Sequence, residues 1–64
     1  MTIDFGTLIK TRRKFLKMSQ AELGTAAGCH RTTIVKIEQG APVGLDVFLA
    51  VLNALGLKVD IVEV

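Results

Sequence analysis

The side chains of this 64-residue chain best placed to do chemistry lie in one short run, His30 to Glu38, reading HRTTIVKIE. At about 100° per residue around a helix, Arg31, Thr32, Val35 and Lys36 fall on one side and Ile34 and Ile37 on the other. Such a helix buries its apolar back and offers a guanidinium, a hydroxyl, a branched methyl surface and an ammonium on its front. Those groups donate hydrogen bonds and make apolar contact, which is the chemistry of recognition rather than of bond breaking. The chain has one cysteine, Cys29, and one histidine, His30, adjacent in sequence. They form no nucleophile–base set, no CxxC pair and no metal-ligand cluster, and no phosphate-binding glycine loop is present. The sequence therefore points to no enzyme, no cofactor and no metal. Cys29 is expected to be a buried, inert thiol.

The elements that must position this face are marked in Ser19–Gly40, SQAELGTAAGCHRTTIVKIEQG. Ser19 followed by Glu22 is a capping box, and Met18 and Leu23 sit where a hydrophobic staple belongs. Gly28 permits the positive φ of a sharp turn, after which a second helix is expected at about Arg31–Gln39. His30 stands where Ser, Thr or Asn commonly caps a helix, and its ring is placed to touch a phosphate or a base edge. Thr32 and Thr33 are good hydrogen-bonding residues but indifferent helix formers.

Before this unit, a helix is expected from about Asp4 to Lys17, capped by Thr2 or Asp4. Phe5, Leu8, Ile9, Phe15 and Leu16 form its apolar face, while Lys10, Arg13, Lys14 and Lys17 line a separate arc suited to phosphate. Arg12 falls in the middle of the apolar face, where its stem can run along that surface or its head find a carboxylate. After Gly40, Ala41–Gly44 reads as a loop, followed by a last helix at about Leu45–Leu55 closed by Gly56. That helix is apolar almost all round, and so small a chain cannot cover it alone; a second subunit is the expected cover. Leu57–Val64 (LKVDIVEV) alternates through Leu57, Val59 and Ile61 and is rich in β-branched residues, so it reads as a strand. A lone strand needs a partner for its backbone groups. The expected assembly is a two-fold homodimer joined by these strands, with Leu49, Leu52, Val59 and Ile61 at its interface.

Length agrees with one small domain over 1–64, and the charge is unevenly divided along it. Residues 1–36 hold seven Lys/Arg against two Asp/Glu, and residues 37–64 hold one Lys against four Asp/Glu. The positive half thus contains the recognition helix, as an anionic partner favours. The longest apolar run, Val47–Leu52, is far short of a membrane span, and a cytoplasmic location is expected.

Gln20, Ala21, Glu22, Leu23, Gly28, Ile34, Ile37, Glu38 and Gly40 resemble the Xre/Cro-type helix-turn-helix family, which includes the phage repressors, over about residues 5–57. The resemblance implies an all-α bundle of about four helices plus one C-terminal strand, acting as a transcriptional regulator on double-stranded DNA with a roughly palindromic operator. Arg31, Thr32, Val35, Lys36 and His30 would read bases, and Gln20, Arg13, Lys10, Lys14, Lys17 and Thr33 would contact phosphate. It also implies an ion pair between Arg13 and Glu38 that fixes the angle between two helices. The ending is similar to HipB-like antitoxins, whose C-terminal strands pair across a dimer, which adds a HipA-like toxin as a possible partner. A protein-binding antitoxin with DNA binding secondary is the alternative reading.

Overall fold

The computed structural model describes residues 4–60 and 62. Four α-helices are present among them: α1 (Phe5–Phe15), α2 (Gln20–Ala27), α3 (Arg31–Glu38) and α4 (Leu45–Ala54). Asp4 caps α1, its carboxylate accepting the Thr7 backbone N–H at 3.1 Å and the Thr7 hydroxyl at 2.7 Å. Thr2, the other expected cap, lies outside the described residues. Ser19 caps α2 through both halves of the capping box, with Ser19 N–H to Glu22 Oε1 at 2.9 Å and Glu22 N–H to Ser19 Oγ at 3.0 Å. His30 does cap α3: its Nδ1 accepts the Thr32 backbone N–H at 3.3 Å. An imidazole nitrogen here does the work of a hydroxyl.

All four helices end alike, with two backbone N–H groups reaching back to carbonyls that the last turn leaves free. The residue in the left-handed conformation is Gly28 for α2, Gly40 for α3 and Gly56 for α4, but Lys17 for α1, at φ 57°. In α1 the two bonds run from Lys17 N–H to Lys14 O (3.0 Å) and from Met18 N–H to Arg13 O (3.1 Å).

The core joins Ile9 of α1, Leu23 of α2, Ile34 and Ile37 of α3, and Val51, Leu52 and Leu55 at the end of α4. Helix α2 packs on both α3 and α4, and α1 packs on α3. Close approach of α1 to the end of α3 requires Gly6, since a Cβ there would stand 2.6 Å from the Glu38 carbonyl oxygen and 2.9 Å from that of Ile37. Phe5 meets Phe48 edge to face at 5.4 Å. Seven residues further along both helices, Arg12 Nε donates to Leu55 O at 3.0 Å. Helices α1 and α4 therefore run side by side in the same direction.

Two expectations need correction, and a third is not met among the described residues. Of the apolar face read for the first helix, only Ile9 enters the core, whereas Phe5, Leu8, Phe15 and Leu16 are exposed. The residues of α1 that turn inward are Gly6, Ile9 and Arg13. Leu52, expected at a dimer interface, is 5% exposed and belongs to the chain's own core. The C-terminal strand is not formed among the described residues: 57–60 have no regular structure, and Ile61, Glu63 and Val64 lie outside the description. The physical reason is that a strand needs a second strand for its hydrogen bonds, and one chain offers none there. Leu49 and Val59 are exposed.

Candidate nucleic-acid interface

Helix α3 turns Ile34 and Ile37 fully inward and leaves Arg31, Thr32 and Lys36 exposed, with Val35 and Thr33 half-buried. The apolar back therefore anchors the helix, and the polar front is open along its length. His30 is exposed, and its Nδ1 also lies 3.0 Å from the Thr32 hydroxyl. That contact ties the two side chains at the entry to α3, leaving the outer ring nitrogen for an external partner.

The turn leading into α3 is tight for a nonlocal reason. A Cβ at Gly24 would stand 2.9 Å from the Cys29 carbonyl oxygen and 3.3 Å from the Arg31 backbone nitrogen. Glycine in the middle of α2 lets the start of α3 press directly against it. Cys29 is partly buried against the core.

At its far end α3 is held by a polar cluster. Arg13 Nε donates to Glu38 Oε2 at 2.7 Å and Nη2 to Oε1 at 3.1 Å, a forked pair with both acceptor oxygens occupied. Arg13 Nη1 donates to Met18 O at 2.9 Å, and Gln20 Nε2 to Glu38 Oε1 at 3.2 Å. The two charged side chains are 9% and 4% exposed. One carboxylate thus gathers the end of α1, the start of α2 and the end of α3. Burial alone would raise the Glu38 carboxyl, but the bonds from Arg13 and Gln20, with the positive charge of Arg13, leave it below the usual 4.5. The same bonds hold Arg13 more firmly in its charged form.

This geometry revises the place of Arg13. Read from sequence as a phosphate contact, it is buried and engaged by Glu38 and Met18, so it braces the interface from behind. Gln20 is half-buried and braces Glu38 likewise. Lys10, Lys14 and Lys17 are exposed. On a helical projection Lys10 and Lys14 lie on the opposite side of α1 from Phe5, Leu8 and Phe15, with Gly6, Ile9 and Arg13 between; Lys17 follows beyond the end of the helix.

Arg12, Gly6 and Gly24 are the positioning residues that sequence reading missed. Gly6 and Gly24 each sit inside an otherwise good helix, and that was the available signal: an interior glycine weakens a helix unless a close approach needs it. For Arg12 the answer was neither water nor a carboxylate but the carbonyl end of α4.

No described helix is long and apolar enough to cross a membrane. No curated protein matches the chain. The family model described as helix-turn-helix matches residues 9–62, which takes in α2, the turn, α3 and α4 whole and all but the first turn of α1. With a capped α2, a glycine turn and an α3 whose polar front is open, this chain belongs to the Xre/Cro-like helix-turn-helix family of DNA-binding regulators.

Proposed function

We propose that the chain is a homodimeric, sequence-specific DNA-binding repressor of its own operon. The observation that carries this reading is the exposed front of α3, with Arg31, Thr32 and Lys36 outward and an apolar back fixed in the core. Helix α3 enters the major groove, and α2 crosses the backbone with Gln20 toward a phosphate. Arg31 pairs with a guanine edge, Lys36 donates to guanine acceptors, and Thr32 and Val35 meet a thymine methyl. His30 and Thr33 lie at the margin of this contact. Lys10, Lys14 and Lys17 supply the phosphate contacts that set affinity and its salt dependence.

Two copies related by a two-fold axis present their α3 helices to half-sites about 34 Å apart. The tails pair across the axis, and Leu49 and Val59 supply apolar contact there. A HipA-like toxin bound to this dimer would make the chain an antitoxin as well. The exposed apolar tail favours that second role, which coexists with the first.

The test is an anisotropy titration of labelled duplexes, the chain's own upstream DNA against a scrambled sequence, at two salt concentrations. A specificity of at least about 10³ is expected. Equal, strongly salt-dependent binding to both duplexes would overturn sequence-specific reading.

A further inference from the structure

Helix α1 has two exposed sides with opposite characters. One carries Lys10 and Lys14; the other carries Phe5, Leu8 and Phe15 at helical spacing, with Arg12 among them. Phe5 meets Phe48 of α4, and Leu45 and Leu49 of that helix are exposed as well. Phe15 is 71% exposed, as is Leu45. Taking about 200 Å² for a large side chain, these exposed fractions leave roughly 500 Å² of apolar surface. That is as large as the biggest patch on a typical monomer, on a chain of only 64 residues.

Arg12 breaks the apolar character at one point. Its Nε is engaged by Leu55 O, and its guanidinium carbon stands 5.2 Å from the centre of the Phe15 ring. The terminal nitrogens make no hydrogen bond or ion pair among the described residues. A fitting occupant is therefore apolar with an acidic residue at one place. Residues 59–64, VDIVEV, have that composition. Among the described residues the tail does not close this contact on its own chain: Val59 and Val62 are 47% and 71% exposed while the α1/α4 side is exposed too. A two-stranded ribbon is marginal in water unless it packs on a helix face, which gives paired tails a physical need for such a seat.

We propose that the α1/α4 face, with Arg12 at its centre, seats the acidic, β-branched tail of a second copy. The proposal rests on the dimeric reading above and deepens it: the tails do not only pair with each other, they lie on the partner's helices. The lysine side of α1 stays free for DNA, so a single helix separates the two surfaces.

A charge exchange tests this directly in full-length chains, by sedimentation equilibrium. R12E places like charges on its own kind of tail, and D60R/E63R does the reverse, so each chain alone should dimerise at least about tenfold more weakly than wild type. Mixed in equal amounts, both contacts of the heterodimer regain opposite charges, and dimers should return at near wild-type strength. Far-UV circular dichroism checks that each chain is folded. The L8E/F15E chain probes the same face while keeping the Arg12 side chain that donates to Leu55 O, and it should sediment as a monomer where wild type is a dimer. No recovery on mixing would overturn the proposal and place each tail on its own chain or elsewhere. Wild-type dimerisation by L8E/F15E would overturn it in favour of tail pairing alone. A monomeric wild type would overturn it together with the dimer, while the operator titration reports separately on DNA reading.

Discussion

Replacing Glu38 by glutamine keeps the shape of the side chain and removes the charge on which three helices converge. The carboxylate accepts three N–H groups, two from Arg13 and one from Gln20, in a site where its side chain is 4% exposed. Hydrogen bonds to a charged group contribute about 1.5–3 kcal/mol each. The amide oxygen of the variant retains one or two of them in weakened form, while its NH₂ faces an arginine donor. Breaking a buried ion pair from one side costs about 3–5 kcal/mol, and retained acceptance puts E38Q near the lower end, about 3 kcal/mol. A 64-residue domain has roughly 3–10 kcal/mol in all, so this one change consumes a large share of the folding free energy. With no Trp or Tyr in the chain, urea unfolding followed by far-UV circular dichroism is the natural assay. At a slope of about 1 kcal/mol/M the midpoint should fall by about 3 M. Combined with R13M, the loss should be smaller than the two single losses added, with a coupling of about 2 kcal/mol. An E38Q chain within about 0.5 kcal/mol of wild type, or strict additivity, would refute the reasoning. The same site has a pH signature. Glu38 lies below its usual 4.5 in the folded chain, so its contribution is complete above that value and is lost as pH falls through the folded-state value. The stability of E38Q should therefore depend less on pH below about 4.5, with Asp4 and Glu22, also held low by hydrogen bonds from Thr7 and Ser19, keeping some acid sensitivity.

Lys17→Gly should stabilise the chain by about 1 kcal/mol and raise Tm by about 4–8 °C, because a side chain at φ 57° is replaced by a residue without that strain; an unchanged melting curve would show that the turn carries no strain. Gly6→Ala should cost more than about 2 kcal/mol or prevent folding, since the new methyl meets two backbone carbonyls that cannot move aside; thermal unfolding measures it, and a loss under about 0.5 kcal/mol would mean α1 is free to shift. Arg31→Ala should weaken cognate binding by about 1–3 kcal/mol and relax preference at one base position, and equal losses on cognate and scrambled duplexes would remove it from base reading. Lys14→Ala should weaken binding to every sequence and lower the salt slope by about one, and an unaltered slope would take it off the phosphate path.

What could be read from the chain beforehand was what depends on neighbours in sequence. Ser19 with Glu22, the turn at Gly28 and the stop at Gly56 are local devices, and the helix bounds follow them to within one or two residues. The front of α3 was legible because two isoleucines three apart leave little choice of orientation. Helix α1 misled because periodicity shows which residues share a side, not whether anything covers that side. Phe5, Leu8 and Phe15 share one, and it faces outward. Leu52 erred in the opposite sense, being one of several apolar residues on α4 and the one that points to the chain's own core. The partner of Arg12 lies 43 residues away in sequence and is a main-chain carbonyl, which no residue type announces. The same holds for Gly6 and Gly24, whose neighbours are backbone atoms beyond their own helices.

Arg12 and Arg13 stand side by side in the sequence, yet one fastens the carbonyl of Leu55, the residue that caps α4, and the other the closing glutamate of α3. Around a helix they are about 100° apart, so inserting or deleting one residue before them would turn both grips away together. Arg13 also holds Met18 O, which fixes the number of residues from the end of α1 to the cap of α2. Evolution can lengthen this chain where neither grip is felt, around the exposed Pro42 or beyond Leu57. In homologues that keep both arginines, gaps should gather at those two places and be absent between residues 6 and 24. Drift in length is confined by two side chains whose identical chemistry conceals different tasks.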